Sequence, residues 1–252
     1  MLDRRLFLGA GIAGASALTF SSVWSQSAPN FGLPDLPSVG YKRMKLGKME
    51  VIALNDGAVR RPLGEEFALF GLGGARIDRI AERSNLNKRL IYYYFTDKDQ
   101  LFQAVLESAY EQIREKEKEL NLQSLEPTAA VRTLVEFTWN YYLEHPEFLT
   151  LLNSENLHKA RHIQESPNAR ALNSPLIELL GAILEKGRLS GEFRGGIDPV
   201  QLYVSIAALS YFYLSNNSTL SSIFGRDLMS PKAKSERLSH MCEVILGYVL
   251  RN

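Results

Sequence analysis

Residues 75–98, ARIDRIAERSNLNKRLIYYYFTDK, constrain the fold more than any other stretch of this chain. They read as two short amphipathic segments joined by a tight polar break. In the first, Ile77, Ile80 and Ala81 recur at the i, i+3, i+4 spacing of one helical face, with Arg76, Arg79 and Arg83 on the outer faces. Ser84 and Asn85 close it with side chains that hydrogen-bond locally and tolerate turn geometry. Leu86 is placed to plug the corner, and Asn87 to cap the next helix. The second segment, Lys88 to Phe95, is expected to bury Leu90, Ile91 and Phe95 and to turn Lys88, Arg89, Tyr92 and Tyr93 outward. Two helices of this length around such a turn fit a helix-turn-helix, whose second helix enters the major groove of DNA.

The run KRLIYYYFTDKDQLF then resembles the DNA-binding region of TetR-type transcriptional regulators. That motif has Ile-Ala, a recognition-helix start, Tyr-x-x-Phe and a Lys opening the fourth helix. Here these are Ile80-Ala81, Asn87-Lys88, Tyr92 to Phe95, and Lys98. The resemblance extends from about Glu65 to the C-terminus, and its motifs lie between Gly71 and Leu101. It implies phosphate contacts for Tyr92 and Lys98. Lys98 is also expected at a helix N-terminus, where free N–H groups attract phosphate. Lys88, Arg89 and Tyr93 are candidates for phosphate or base contact, because Lys and Arg reach guanine edges and tyrosine hydroxyls donate to phosphate. Arg76 and Asn87 are secondary phosphate candidates. The bland alternative is a solvated charged helix with its tyrosines on the core. Tyr94 reads either way, and Phe95 reads as core.

The chain's formal net charge of +1 is no basic signature, but the charge that matters is local. From Arg76 to Tyr94 there are five Lys/Arg against two acids, a surplus of three. A single cysteine, Cys242, excludes an internal disulfide and a CxxC site, and its apolar setting reads as core. No Ser/His/Asp or Cys/His pairing is legible at a motif spacing, so neither an enzyme nor a cofactor is expected.

The N-terminus reads differently. Arg4-Arg5-Leu6-Phe7-Leu8, a short apolar run to Phe20 and a small-residue stretch before Ala28 resemble a twin-arginine export signal over residues 1–28. The alternative is a chance Arg-Arg before an apolar helix. Residues 29–64 read as a proline-bearing linker and one or two short strands between Met44 and Leu54. The run GYKRMKLGKMEVIALNDGAVRRPL resembles the opening of exported metallo-β-lactamase-fold hydrolases. The family's His-x-His-x-Asp-His zinc motif is absent, so hydrolase activity does not carry over. Only the second half of a family-like first helix is present, giving an expected helix from about Pro62 to Phe70.

From Asp97 the pattern is helical, and the fold class is all-α: a helix-turn-helix head over 65–112 and a helical bundle over 113–252. Thr96-Asp97 caps a helix to about Leu120 that buries Leu101, Phe102, Val105, Leu106, Ala109 and Ile113. Its end, EQIREKEKEL, reads as a solvated charged face. Further helices are expected from Pro127 to His145, Glu147 to about His162, Pro175 to Gly191, Asp198 to Asn216 and Lys232 to Leu250. Glu155, His158 and His162 could suggest a metal, but three ligands among amide and basic residues read better as a solvated polar helix, and no metal is expected.

The resemblance further implies a homodimer through about 198–216 and 232–250, binding double-stranded operator DNA. It also implies a small-molecule effector of unknown identity in the C-terminal bundle, with Trp139, Tyr142 and Tyr203 as pocket candidates, although such aromatics are more often plain core. Effector binding would shift the population toward wrongly spaced heads and release the operator. The competing reading is an exported hydrolase-related protein, or a fused chain without function. The repressor reading covers far more of the sequence.

Overall fold

The computed structural model of the chain describes residues 41–46, 49–54, 60–166 and 169–251. The twin-arginine-like segment 1–28 and the linker to residue 40 lie outside them. The expected strands are present as an antiparallel hairpin. β1 (Tyr41–Leu46) pairs with β2 (Met49–Leu54), Tyr41 lying opposite Leu54 and Leu46 opposite Met49.

Every other named element is helical among the described residues. In order they are α1 (Arg60–Gly74), α2 (Ile77–Arg83), α3 (Lys88–Tyr94), α4 (Lys98–Glu119), α5 (Pro127–Glu144), α6 (Pro146–Leu157), α7 (Arg161–Glu165), α8 (Ala169–Ser190), α9 (Pro199–Ser215), α10 (Asn217–Phe224) and α11 (Pro231–Val249). No helix among the described residues is long and apolar enough to cross a membrane.

The first helix is longer than the sequence suggested. It begins at Arg60, so Pro62 sits in its first turn, where a missing N–H leaves no hydrogen bond unmade. At Gly71 the backbone turns to φ 63°, ψ 177°, a region only glycine visits freely, and the path breaks. Ala75 N–H then bonds to Gly71 O at 3.0 Å and starts a new turn. The first donor of that turn, Leu72 N–H, finds no acceptor in its own helix. It donates to Ser154 Oγ of α6 at 3.0 Å.

Two apolar cores follow. The head core gathers Phe67 from α1, Ile80 from α2, Ile91 from α3 and Leu101, Phe102 and Leu106 from α4, and Leu151 of α6 also enters it. Phe67 and Phe102 meet edge to face at 5.2 Å. The second core is built by α5, α8, α9 and α11 around Trp139, with Cys242 buried inside it as expected. Helix α4 serves both, giving Leu101 to Leu106 to the head and Ile113 to the bundle.

Several helix boundaries depart from expectation. Lys159 (φ 59°) and Ala160 (φ 57°) adopt left-handed backbone and split the expected 147–162 helix into α6 and α7. Helix α8 starts at Ala169 and carries Pro175 inside it rather than at its opening. Helix α10 fills a stretch between the two expected C-terminal helices, where no helix was expected. The charged end of α4 is not uniformly solvated: Arg114 and Glu117 are each only 5% exposed.

Candidate nucleic-acid interface

The turn between α2 and α3 forms from its own residues. Asn85 takes φ 51°, a conformation that asparagine tolerates well. Ser84 Oγ donates back to Ile80 O at 2.6 Å, and Leu86 N–H closes onto Ala81 O at 2.9 Å. Asn87 Oδ1 then accepts from Arg89 N–H at 2.9 Å and caps α3. Leu86 packs partly buried against the head core, as its corner position suggested.

Helix α3 buries less than its pattern promised. Ile91 is its one fully buried residue, Phe95 just beyond it is half-buried, and Leu90 is exposed. Tyr92, Tyr93 and Tyr94 are all exposed, with Tyr93 and Tyr94 meeting edge to face at 5.2 Å. Tyr94, ambiguous in sequence, therefore belongs to the outer surface. Lys88, Arg89, Tyr92 and Tyr93 share this surface, and Asn87 lies exposed at its start.

The cations around it are not all free. Lys88 Nζ lies 2.6 Å from Asp78 Oδ1 of α2, and the hydrogen bond to that carboxylate raises the lysine's pKa. Arg79 is committed to the head: its Nε donates to Glu66 Oε1 at 2.6 Å, its Nη2 to Gly74 O at 2.8 Å, and its guanidinium lies 4.4 Å from the Phe70 ring centroid. Arg83 Nε stands 3.4 Å from Glu66 Oε2. The backbone N–H of Arg76 also donates to Glu66, at 3.2 Å, leaving its side chain at an exposed position. Glu66 itself is fully buried and organises three segments of the head. Sequence reasoning missed it because its partners lie ten to seventeen positions away.

Lys98 opens α4, whose cap is Asp97: Asp97 Oδ1 accepts from Gln100 N–H at 2.8 Å. The Lys98 ammonium donates to Ala75 O at 3.3 Å, tying the start of α4 to the α1–α2 corner. So Lys98 sits half-buried beside the exposed tyrosine surface rather than projecting freely.

Of the three pocket candidates, Trp139 and Tyr142 are buried in the bundle core and Tyr203 is half-buried against it. Tyr142 and Tyr203 lie close enough to interact electrostatically. Trp139 meets Tyr213 edge to face at 5.6 Å, and Tyr142 stacks near Phe148 at 5.8 Å. Tyr203 Oη accepts from Arg114 Nη2 at 2.8 Å.

Glu155 and His162 are not the solvated residues the sequence suggested. Each is 2% exposed, and His162 Nδ1 lies 2.6 Å from Glu155 Oε2. Glu155 Oε1 accepts from Ile163 N–H at 3.0 Å, and Asp99 of α4 lies 3.2 Å from His162 Nε2. The left-handed turn at Lys159 and Ala160 folds α7 back to make this pairing. His158 meets the His162 ring edge to face at 6.1 Å but hydrogen-bonds elsewhere, its Nδ1 2.7 Å from Ser154 O, and no metal-holding group of three occurs among the described residues.

The geometry matches known proteins. Residues 65–105 match the family of bacterial regulatory proteins named for TetR, and residues 127–245 match the tetracyclin repressor-like C-terminal domain. The HTH-type transcriptional repressor NicS of Pseudomonas putida is 42% identical over 180 residues, covering 71% of this chain and 85% of that protein. The HTH-type transcriptional repressor SCO4008 of Streptomyces coelicolor is 38% identical over 94 residues, 36% of this chain and 44% of its own length. Among solved structures, the ketosteroid regulator KstR2 of Mycobacterium tuberculosis superposes with a TM-score of 0.58 at 15% identity, over 80% of this chain and 98% of that one. At that identity the likeness speaks to fold alone. The two family matches and the long match to NicS carry the assignment: the chain belongs to the TetR family of bacterial regulatory proteins.

Proposed function

We propose that the protein is a sequence-specific transcriptional repressor whose α3 enters the major groove of an operator. The observation that carries this is the exposed surface of α3, with Lys88, Arg89, Tyr92 and Tyr93 on a helix anchored from behind by Ile91 alone. Tyr92 and Lys98 take phosphates, Lys88, Arg89 and Tyr93 lie toward base edges, and Arg76 and Asn87 add peripheral backbone contacts. Two copies pair through α9 and α11, where Val200, Val204, Phe212, Val244 and Tyr248 are exposed apolar side chains of the single chain. Pairing sets two heads one helical turn apart, the spacing of palindromic half-sites. A small molecule bound in the C-terminal bundle releases the operator by favouring another head spacing.

Selection of random duplex DNA by the purified full chain tests this reading. An enriched inverted repeat is expected, with binding lost in the Tyr92→Ala, Lys98→Ala double variant. Failure to enrich any sequence, or unchanged affinity in that variant, removes the assignment.

Such a protein works where the chromosome is, in the cytoplasm, and the twin-arginine-like opening would take it away. N-terminal sequencing of cytoplasmic and periplasmic fractions decides between them. A cytoplasmic product that binds the operator supports the repressor, and a purely periplasmic product beginning near Ala28 refutes it.

A further inference from the structure

The interior of the bundle holds an arginine whose donors the protein leaves largely unused. Arg114 of α4 is 5% exposed, yet of its guanidinium nitrogens only Nη2 makes a protein hydrogen bond, to Tyr203 Oη at 2.8 Å. Its Nη1 lies 2.5 Å from Glu117 Oε2, but out of line for a hydrogen bond, and Nε has no protein acceptor. Glu117 Oε2 is likewise unaligned with any donor. A buried ion pair is stabilising only when good geometry and further hydrogen bonds offset the loss of hydration. Here the one further hydrogen bond is that to Tyr203, and Nε, Nη1 and Glu117 Oε2 are left without one. An aliphatic side chain at both positions would fill the core more cheaply.

Three tyrosines surround the pair. Tyr110 of α4, Tyr142 of α5 and Tyr203 of α9 lie within the electrostatic reach of Arg114. Burial pushes the Tyr110 hydroxyl up to about 12 and raises Tyr142 as well, so both remain neutral hydrogen-bonding groups at any physiological pH. Phe148 stacks against both Tyr110 and Tyr142, at 5.6 and 5.8 Å, and supplies an apolar wall.

Resting on the repressor reading, we propose that Arg114 is the anchor of the effector site and that the effector is a small organic monocarboxylate. Its carboxylate replaces Glu117 at Nη1 and spans to Nη2, and the Tyr203 hydroxyl donates to it. Glu117 takes a proton from solvent as it is displaced. Charge then balances: one guanidinium, one bound carboxylate, one neutral carboxylic acid. A dianion such as phosphate would leave this buried site with net negative charge. The displaced group is suited to its role, because burial pushes the Glu117 carboxyl up to about 7 against the downward pull of Arg114. Neutralising it near neutral pH is therefore easy.

Helix α4 links the site to the head. It runs unbroken from Lys98 to Glu119, so Arg114 stands sixteen residues, roughly 24 Å, from the lysine beside the tyrosine surface. A shift of α4 at Arg114 is carried to the start of the same helix.

Calorimetric titration of the full chain with benzoate and hexanoate, each beside its neutral amide, tests the proposal. At least one carboxylate binds, and its amide does not. Titration in buffers of different ionisation enthalpy shows proton uptake on binding, and uptake disappears in Glu117→Gln while binding persists. Arg114→Gln weakens binding on the order of a hundredfold. Tyr203→Phe, which keeps the ring, weakens it about tenfold and guards against misfolding of the arginine variant. The proposal is overturned if neither carboxylate binds, if the amides bind equally well, or if Tyr203→Phe leaves affinity unchanged. The duplex selection above reads separately. A chain that selects an operator but ignores carboxylates loses only this inference. A chain that binds them through Arg114 but selects no duplex loses the repressor reading.

Discussion

Ser154 Oγ receives the backbone N–H of Leu72 at 3.0 Å, so a side chain of α6 completes the hydrogen bonding of a break in α1. The break exists because Gly71 turns the helix out of its path, and the next residue along α6, Glu155, holds His162 beside Asp99 at the start of α4. Two neighbouring residues of α6 thus hold the head at two places.

Removing the Ser154 acceptor or straining the break at Gly71 should loosen the head. Ser154→Ala leaves a buried N–H without a partner, at a cost of about 1–3 kcal/mol. Gly71→Ala forces a β-carbon into backbone that L-residues avoid, at about 1–3 kcal/mol. Urea unfolding of each variant gives the loss directly.

Glu66 should matter to the head more than its place beside a second glutamate suggests. It is fully buried and accepts from Arg79 Nε and Arg76 N–H. Glu66→Ala is expected to destabilise by about 2–3 kcal/mol through lost charge-assisted hydrogen bonds. Amide exchange should show the loss concentrated in α1 and α2.

The buried carboxyl of Glu117 makes stability fall as pH rises. Its folded value is raised to about 7 from an ordinary 4.5. Between those values the folded chain keeps a proton that the unfolded chain has released. The stabilisation is complete below pH 4.5 and is lost through pH 7, amounting to on the order of 3 kcal/mol. Urea unfolding at intervals from pH 5 to pH 8 should show the decline in the native chain and a flatter profile in Glu117→Gln.

Phe212 of α9 is 58% exposed on the single chain and belongs to the pairing face proposed here. Phe212→Asp should yield monomers by sedimentation equilibrium while retaining helical content. Operator affinity should fall on the order of a hundredfold, since two heads no longer bind as one unit.

What was legible in the sequence was local. The α2–α3 turn is specified by Ser84, Asn85 and Asn87 acting on neighbouring backbone, and it forms as expected. The cap of α4 by Asp97 was equally plain. What was hidden depends on distant partners. The alternating charges of EQIREKEKEL look solvated until Tyr203, 89 residues on, is found against Arg114. Glu155 and His162 look like surface polar residues because the turn that pairs them uses Lys159 and Ala160, which carry no turn signal. Leu90 was misassigned because periodicity over seven residues cannot separate a buried position from its exposed neighbour.

The ion pair between Lys88 and Asp78 bears on how such a head searches a chromosome. A lysine already partnered by a carboxylate brings no condensed counterion out of the DNA atmosphere until that partner is given up. Binding to arbitrary sequence should therefore depend on salt as though one cation per head were missing, a slope smaller by about one. Asp78→Asn would restore it, and the head would then linger on every stretch of DNA it meets. Asp78 would thus act as a brake on binding to arbitrary sequence.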